Sequence, residues 1–180
     1  DAFSGGTSQP CMGSIVEALH NSERDTGIDI ENLREISDYW GQVRAQYAAF
    51  ESGLSSPASE VYLHEMPGGQ FTNLKAQARS MGMEEKWHDI AETCADVNQM
   101  FGDIVKVTPS SKVVGDMALM MVAQNLNRAD VENPNTDVAF PESVVDMLRG
   151  NLGQPPGGFP KHIVTKALKG EKPNLDRPGK

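Results

Sequence analysis

Three features of this 180-residue sequence predict a mainly α-helical fold. Apolar residues recur every three or four positions over most of its length, the spacing of one helical face. Glycine and proline clusters cut that pattern into pieces of one to five turns. No internal repeat and no heptad seam runs through it.

The first helix is expected from Ser8 and Pro10 to about His20, with Met12, Ile15, Val16 and Leu19 on one side. Asp29 is placed to cap a second, longer helix. In it Ile30, Leu33, Ile36, Trp40, Val43, Tyr47 and Phe50 form one buried face about five turns long. The stretch from Glu51 to Pro57 ends it. Val61, Tyr62 and Leu63 read as a short extended piece, and Pro67, Gly68 and Gly69 as a turn before a third helix from Gln70 to Ser80. Past Gly82, Trp87, Ile90, Cys94, Val97 and Phe101 mark a fourth helix that Gly102 is suited to end, which makes Cys94 a core residue. The fifth, from Pro109 to about Asn125, is apolar on most sides and belongs at the centre. Helices near 141–149 and 162–169 follow, separated by a Gly- and Pro-rich link.

A chain of this length can bury roughly 70% of its unfolded surface, so it needs no staple. Its net charge of −9 and pI near 4.9 argue against a nucleic-acid partner. Cys11 and Cys94 stand far apart and outside any metal or redox spacing, which suits a reducing compartment. No apolar run reaches the ~20 residues of a membrane span, and no secretory signal pattern opens the chain. A soluble, intracellular protein is the expectation. The start at Asp1, without Met, and the turn-rich end from Pro173 to Lys180 read as cuts in a longer polypeptide.

The four histidines are too scattered for a local metal site, and neither a Walker loop nor a G-x-S-x-G elbow occurs. His64 beside Glu65 could form an acid–base pair, but adjacent side chains rarely face each other, so a loop role is the simpler reading. The segment FGDIVKVTPSSKVVGD (101–116) carries more chemistry. It gathers hydroxyls, free backbone N–H groups and a cation at one helix start. Thr108 stands at the N-cap position and Pro109 at the first helical position, so Thr108 is open to a capping or a chemical role. Lys112 in the first turn opposes the helix dipole, which is better explained if an anionic or carbonyl-bearing ligand also sits there.

Together with HEMPGGQFTNL (64–74), FPESVVDML (140–148), GQPPGGFP (153–160), SGGTSQP (4–10), ISDYW (36–40) and FESGL (50–54), this segment resembles the pyruvate carboxylase family. The resemblance covers nearly the whole chain and falls in the second half of the carboxyltransferase domain. Decarboxylase subunits of biotin-dependent sodium pumps and transcarboxylases share parts of the pattern. Ser111-Lys112 and Glu65 before Met66 favour the carboxylase.

The resemblance implies the last helix of a (β/α)₈ barrel at 1–22, a helical extension over the barrel mouth at 23–170, and a linker at 171–180, with the barrel strands absent. It implies an enzyme that moves the carboxyl group of carboxylated biotin to pyruvate, giving oxaloacetate, and a segment inactive alone. Thr108 matches the family's catalytic proton-relay threonine, and Ser111 and Lys112 match residues that contact biotin. The biotin carrier, the ATP site and the divalent-metal ligands would lie elsewhere in the parent. Implied partners are the rest of the barrel, the carrier domain and other copies in a homotetramer; no nucleic acid or membrane is implied. A cytoplasmic location, or a mitochondrial matrix, would suit it. Gln9 and the 64–70 loop receive no role. The competing reading is a non-catalytic helical assembly module with Thr108 a mere cap.

Overall fold

The computed structural model describes residues 2–3, 10–51, 53 and 59–176. The helix start expected at Ser8, the unassigned Gln9 and most of the 51–57 break lie outside them. The chain divides into two compact units, Asp1–Ala58 and Ser59–Lys180. Among the described residues there are helices and turns but no strand.

The first unit holds α1 (Met12–Leu19) and α2 (Ile30–Arg44), which continues as a 3₁₀ segment, Ala45–Phe50. Asp29 caps α2 as its sequence predicts, its Oδ1 accepting from Glu31 N at 3.0 Å and Asn32 N at 3.3 Å. The expected burial of the α2 face does not follow. Val16 and Leu33 are buried, whereas Ile36, Tyr39, Trp40 and Tyr47 are exposed and Phe50 is 85% exposed. Two helices have too little surface between them to cover a face five turns long. What they cover is held by aromatic edges: Phe3 meets Trp40 and Tyr47 with ring centroids 6.0 and 5.9 Å apart.

The second unit contains α3 (Val61–His64), α4 (Gly68–Ser80), a 3₁₀ turn (Glu84–Lys86), α5 (Trp87–Met100), α6 (Ser110–Ala123), α7 (Arg128–Glu132), α8 (Glu142–Arg149) and α9 (Lys161–Ala167). Helix α6 is its axis, packed by α5, α8 and α4. Val114, Met117 and Ala118 are wholly buried, as the all-round apolar pattern requires. From α5, Ile90, Cys94 and Val97 meet them, and α8 adds Val144 and Leu148. Each large apolar side chain buried here contributes roughly 1.5–3 kcal/mol of transfer free energy. Burial also pushes the Cys94 thiol up to about 12, so this cysteine is packing rather than chemistry.

Helix α5 ends as expected at Gly102, whose φ of +95° lets Asp103 N reach back to Asn98 O at 2.9 Å. Two expectations fail locally. Val61 to His64 is a helical turn, not an extended piece, because the backbone bonds of His64 and Glu65 close on Glu60 and Val61. Pro67 and Gly68 start α4 directly, with Pro67 at the cap position. Helix α7, unforeseen in sequence, rests on a reciprocal cap in which Asn127 and Asp130 each accept from the other's N–H. Its C-terminal carbonyls, Val131 O and Asn133 O, are then bound by Lys166 Nζ at 2.5 and 2.6 Å.

Candidate functional site

Helix α6 begins at Ser110, one residue later than a Thr108 cap would place it. Ser110 is the reason. Its Oγ accepts from Val107 N at 3.2 Å and donates to Val107 O at 2.7 Å, with Val105 O at 2.8 Å an alternative acceptor. One hydroxyl thus ties the loop to the helix start. Pro109 takes the cap position, after a cis Thr108–Pro109 peptide bond, and Thr108 is not a cap. Its exposed side chain has no hydrogen-bond partner among the described residues, leaving its hydroxyl available.

Ser111 lies half-buried in the first turn of α6, and Lys112 is exposed. The counter-charge for Lys112 comes from its own helix, since Nζ lies 2.6 Å from Asp116 Oδ2. Asp116 is itself largely covered, and the same oxygen accepts from Ser143 Oγ of α8 at 2.7 Å. A carboxylate fixed from two sides draws the ammonium group one turn along α6, so the misfit of a cation with the helix dipole is partly resolved within the fold.

The connection from α5 into this site inverts the usual pattern. Ile104 is buried, Val105 is 82% exposed, the Lys106 side chain is 9% exposed, and Val107 is 63% exposed. Lys106 turns inward to meet Glu65 Oε2 at 2.9 Å. Tyr62 and Leu63, in the turn before Glu65, are exposed as well. The result is an apolar border on the elements beside a free hydroxyl and a held cation.

His64 and Glu65 do not form a pair. His64 is buried, and its Nδ1 accepts from Met66 N at 3.0 Å, which places the ring proton on Nε2. Burial holds the imidazole below its ordinary value, with the nearby Lys106 charge adding to the effect against Glu60. Glu65 instead reaches Lys106. Gln70 of α4 is buried, and neither atom of its amide has a hydrogen-bond partner. Its Nε2 lies against Gly115, one turn past Ser111 on α6.

Among the described residues no three His, Cys, Asp or Glu side chains gather closely enough to hold a metal ion. No described helix is long and apolar enough to cross a membrane. Two shallow clefts, of about 460 and 400 Å³, both lie in the first unit. Neither includes Thr108, Ser111 or Lys112.

A family described as a conserved carboxylase domain matches residues 61–180, and the chain belongs to that family. Within it, the chain is similar to pyruvate carboxylases. It is 47% identical over 178 residues to the pyruvate carboxylase of Bacillus subtilis, covering 99% of this chain and 16% of that protein. The structure of the carboxyl transferase domain from Rhizobium etli pyruvate carboxylase superposes with a TM-score of 0.92 at 70% identity, over 99% of this chain and 30% of that one. The same Rhizobium etli domain solved with pyruvate and biocytin matches equally. The chain therefore corresponds to a helical segment of a carboxyltransferase domain and spans under a third of that domain's length.

Proposed function

We propose that this chain is part of a biotin-dependent pyruvate carboxylase, and that Thr108, Ser111 and Lys112 contribute to transfer of a carboxyl group from biotin to pyruvate, giving oxaloacetate. The observation that carries the proposal is the Thr108 hydroxyl, exposed and without a hydrogen-bond partner among the described residues, at the start of the central helix. The donor set fits biotin. A hydroxyl and an ammonium suit a polar ureido group, and outward valines suit the apolar body behind it. Biotin, when bound, supplies the carboxyl group and a ureido nitrogen able to take a proton.

Thr108 Oγ1 then acts as a relay. It would give its own proton to that nitrogen, which keeps the electron pair of its breaking N–C bond to the carboxyl group, and take one from the pyruvate methyl group, whose C–H electron pair forms the new bond to the carboxyl carbon. The hydroxyl ends as it began. A free threonine hydroxyl is too weak an acid or base to hold a charge near neutral pH, so the two transfers must run together. Ser111 and Lys112 offer donors to charge developing on the ureido oxygen, and Asp116 keeps the Lys112 ammonium in place.

The biotin carrier, the metal ligands, the ATP site and the rest of the pyruvate site would belong to other parts of the parent protein, so the segment is expected to be inactive alone. The domain reading carried by the resemblance, a barrel end at 1–22, a helical extension at 23–170 and a linker at 171–180, belongs to the same proposal, as does assembly into a homo-oligomer. The test is Thr108→Ala in the full-length protein, with both half-reactions assayed. Lost oxaloacetate formation with intact bicarbonate-dependent ATP cleavage is the expected result. Retained oxaloacetate formation would sink the proposal.

A further inference from the structure

We infer that Glu65 and Lys106 are positioning residues, a clasp that sets the register of the loop carrying Thr108. The inference rests on the relay role proposed for Thr108 and assigns a task to the 64–70 loop. In an extended segment successive side chains point to opposite sides, so a one-residue slip would exchange every inward and outward group. Between 104 and 107 the arrangement runs against ordinary partition: two valines face out and a lysine faces in. A slip would expel the buried Ile104 but would bury two valines and free the ammonium, so solvation on balance favours it. Something must oppose it.

The only ion partner of Lys106 among the described residues is Glu65, 41 positions away in sequence. Glu65 is held on its own account. It sits at φ +55°, its N–H donates to Val61 O at 2.8 Å, and Met66, which follows it, is buried and bound to the His64 ring. A non-glycine residue in that conformation is strained and persists only where its surroundings demand it. The backbone that presents this carboxylate is thus fixed. Lys106 ties to the carboxylate, and Ser110 Oγ ties the other end of the loop to α6. Thr108 lies between these two fastenings, with Val107 turned outward beside it.

The pair acts on Thr108 only through the loop, so its loss should change transfer rather than binding. Lys106→Met keeps the apolar stem and leaves Glu65, which is half exposed, free to hydrate. Glu65→Gln removes the carboxylate's charge. In the full-length protein each should lower kcat for oxaloacetate formation by about tenfold or more while the pyruvate KM stays within about twofold. Bicarbonate-dependent ATP cleavage should be unchanged. The exchanged pair Glu65→Lys/Lys106→Glu should recover activity relative to either single charge reversal. Hydrogen exchange at the Val107 amide, which needs no turnover, should quicken by about tenfold or more in Lys106→Met.

Unchanged kcat and unchanged Val107 exchange in Lys106→Met would overturn the clasp. So would a parallel fall in both half-reactions, which marks a merely structural pair. Thr108→Ala, assayed beside these variants, separates the two ideas. If it loses transfer while Lys106→Met does not, the clasp alone fails; if it retains transfer, relay and clasp fall together.

Discussion

Helices α2 and α6 both carry long apolar patterns and meet opposite fates. Helix α6 is enclosed on nearly every side, with Val114, Met117 and Ala118 at full burial. Helix α2 has an equally regular stripe and leaves Ile36, Tyr39 and Trp40 in the open. Periodicity records which face a helix is built to bury. Whether that face is buried depends on what lies against it, and among the described residues of the first unit that is α1 and the Phe3 ring. A long apolar stripe left bare marks a surface suited to cover by other protein.

That contrast can be broken by substitution. The largest effect is expected at Phe101, wholly buried where α5 ends. Phe101→Ala should cost about 3–5 kcal/mol of stability, while Phe50→Ala in the same chain should stay within about 0.5 kcal/mol. Denaturant unfolding of both variants checks it, and equal costs would abolish the distinction between the units. Next comes Gly150, at φ +97°, where an added Cβ would lie 2.2 Å from Asn174 O. Gly150→Ala should destabilise the second unit by roughly 1–3 kcal/mol and loosen residues 171–176, which Asn174 N ties to Arg149 O. Protease nicking after Arg149 would report the release.

Smaller still is the cap of α2. Asp29→Ala should cost about 1 kcal/mol, visible as lost helicity in the first unit with the second unchanged. The pH dependence of His64 sharpens the comparison from the other side. Its native imidazole is held below the ordinary 6.5, so the unfolded chain takes up a proton first as pH falls. Stability from this site is full above about 6.5 and declines as pH drops through that value toward the native pKa. Protonation of Nδ1 would also end its acceptance from Met66 N. Thermal unfolding from pH 7.5 to 5.5 should show this slope, and His64→Gln should flatten it; a slope of opposite sign would contradict the burial argument.

Much of the fold was legible because its signals are local. Asp29 before an apolar stripe, Gly102 after one, and the all-round apolar run of α6 each dictate an element with little outside help. Helix α3 was misread because Val61 and Tyr62 prefer extended backbone by type, and a four-residue turn has no period to outvote them. Helix α7 escaped for the same lack of length, although Asn127 and Asp130 at capping spacing were a usable sign. The candidate site was legible in part. Its hydroxyls and cation lie within five residues, so the sequence brings them together unaided. Which hydroxyl serves the fold was not legible: Ser110, not Thr108, closes the helix start. Nor was the Glu65–Lys106 contact, since nothing local links residues 41 positions apart.

The distinction between those two hydroxyls is the centre of the account. Ser110 is used by the fold, whereas the Thr108 hydroxyl has no hydrogen-bond partner among the described residues. The most direct measurement compares Thr108→Val, which keeps the shape and removes the hydroxyl, with Thr108→Ser, which keeps the hydroxyl, in oxaloacetate formation by the full-length protein. The valine variant should lose about a hundredfold or more, within the range for a lost proton-transfer group, and the serine variant should stay within about tenfold of the parent. Equal activity of the two would show that the Thr108 hydroxyl is not the relay.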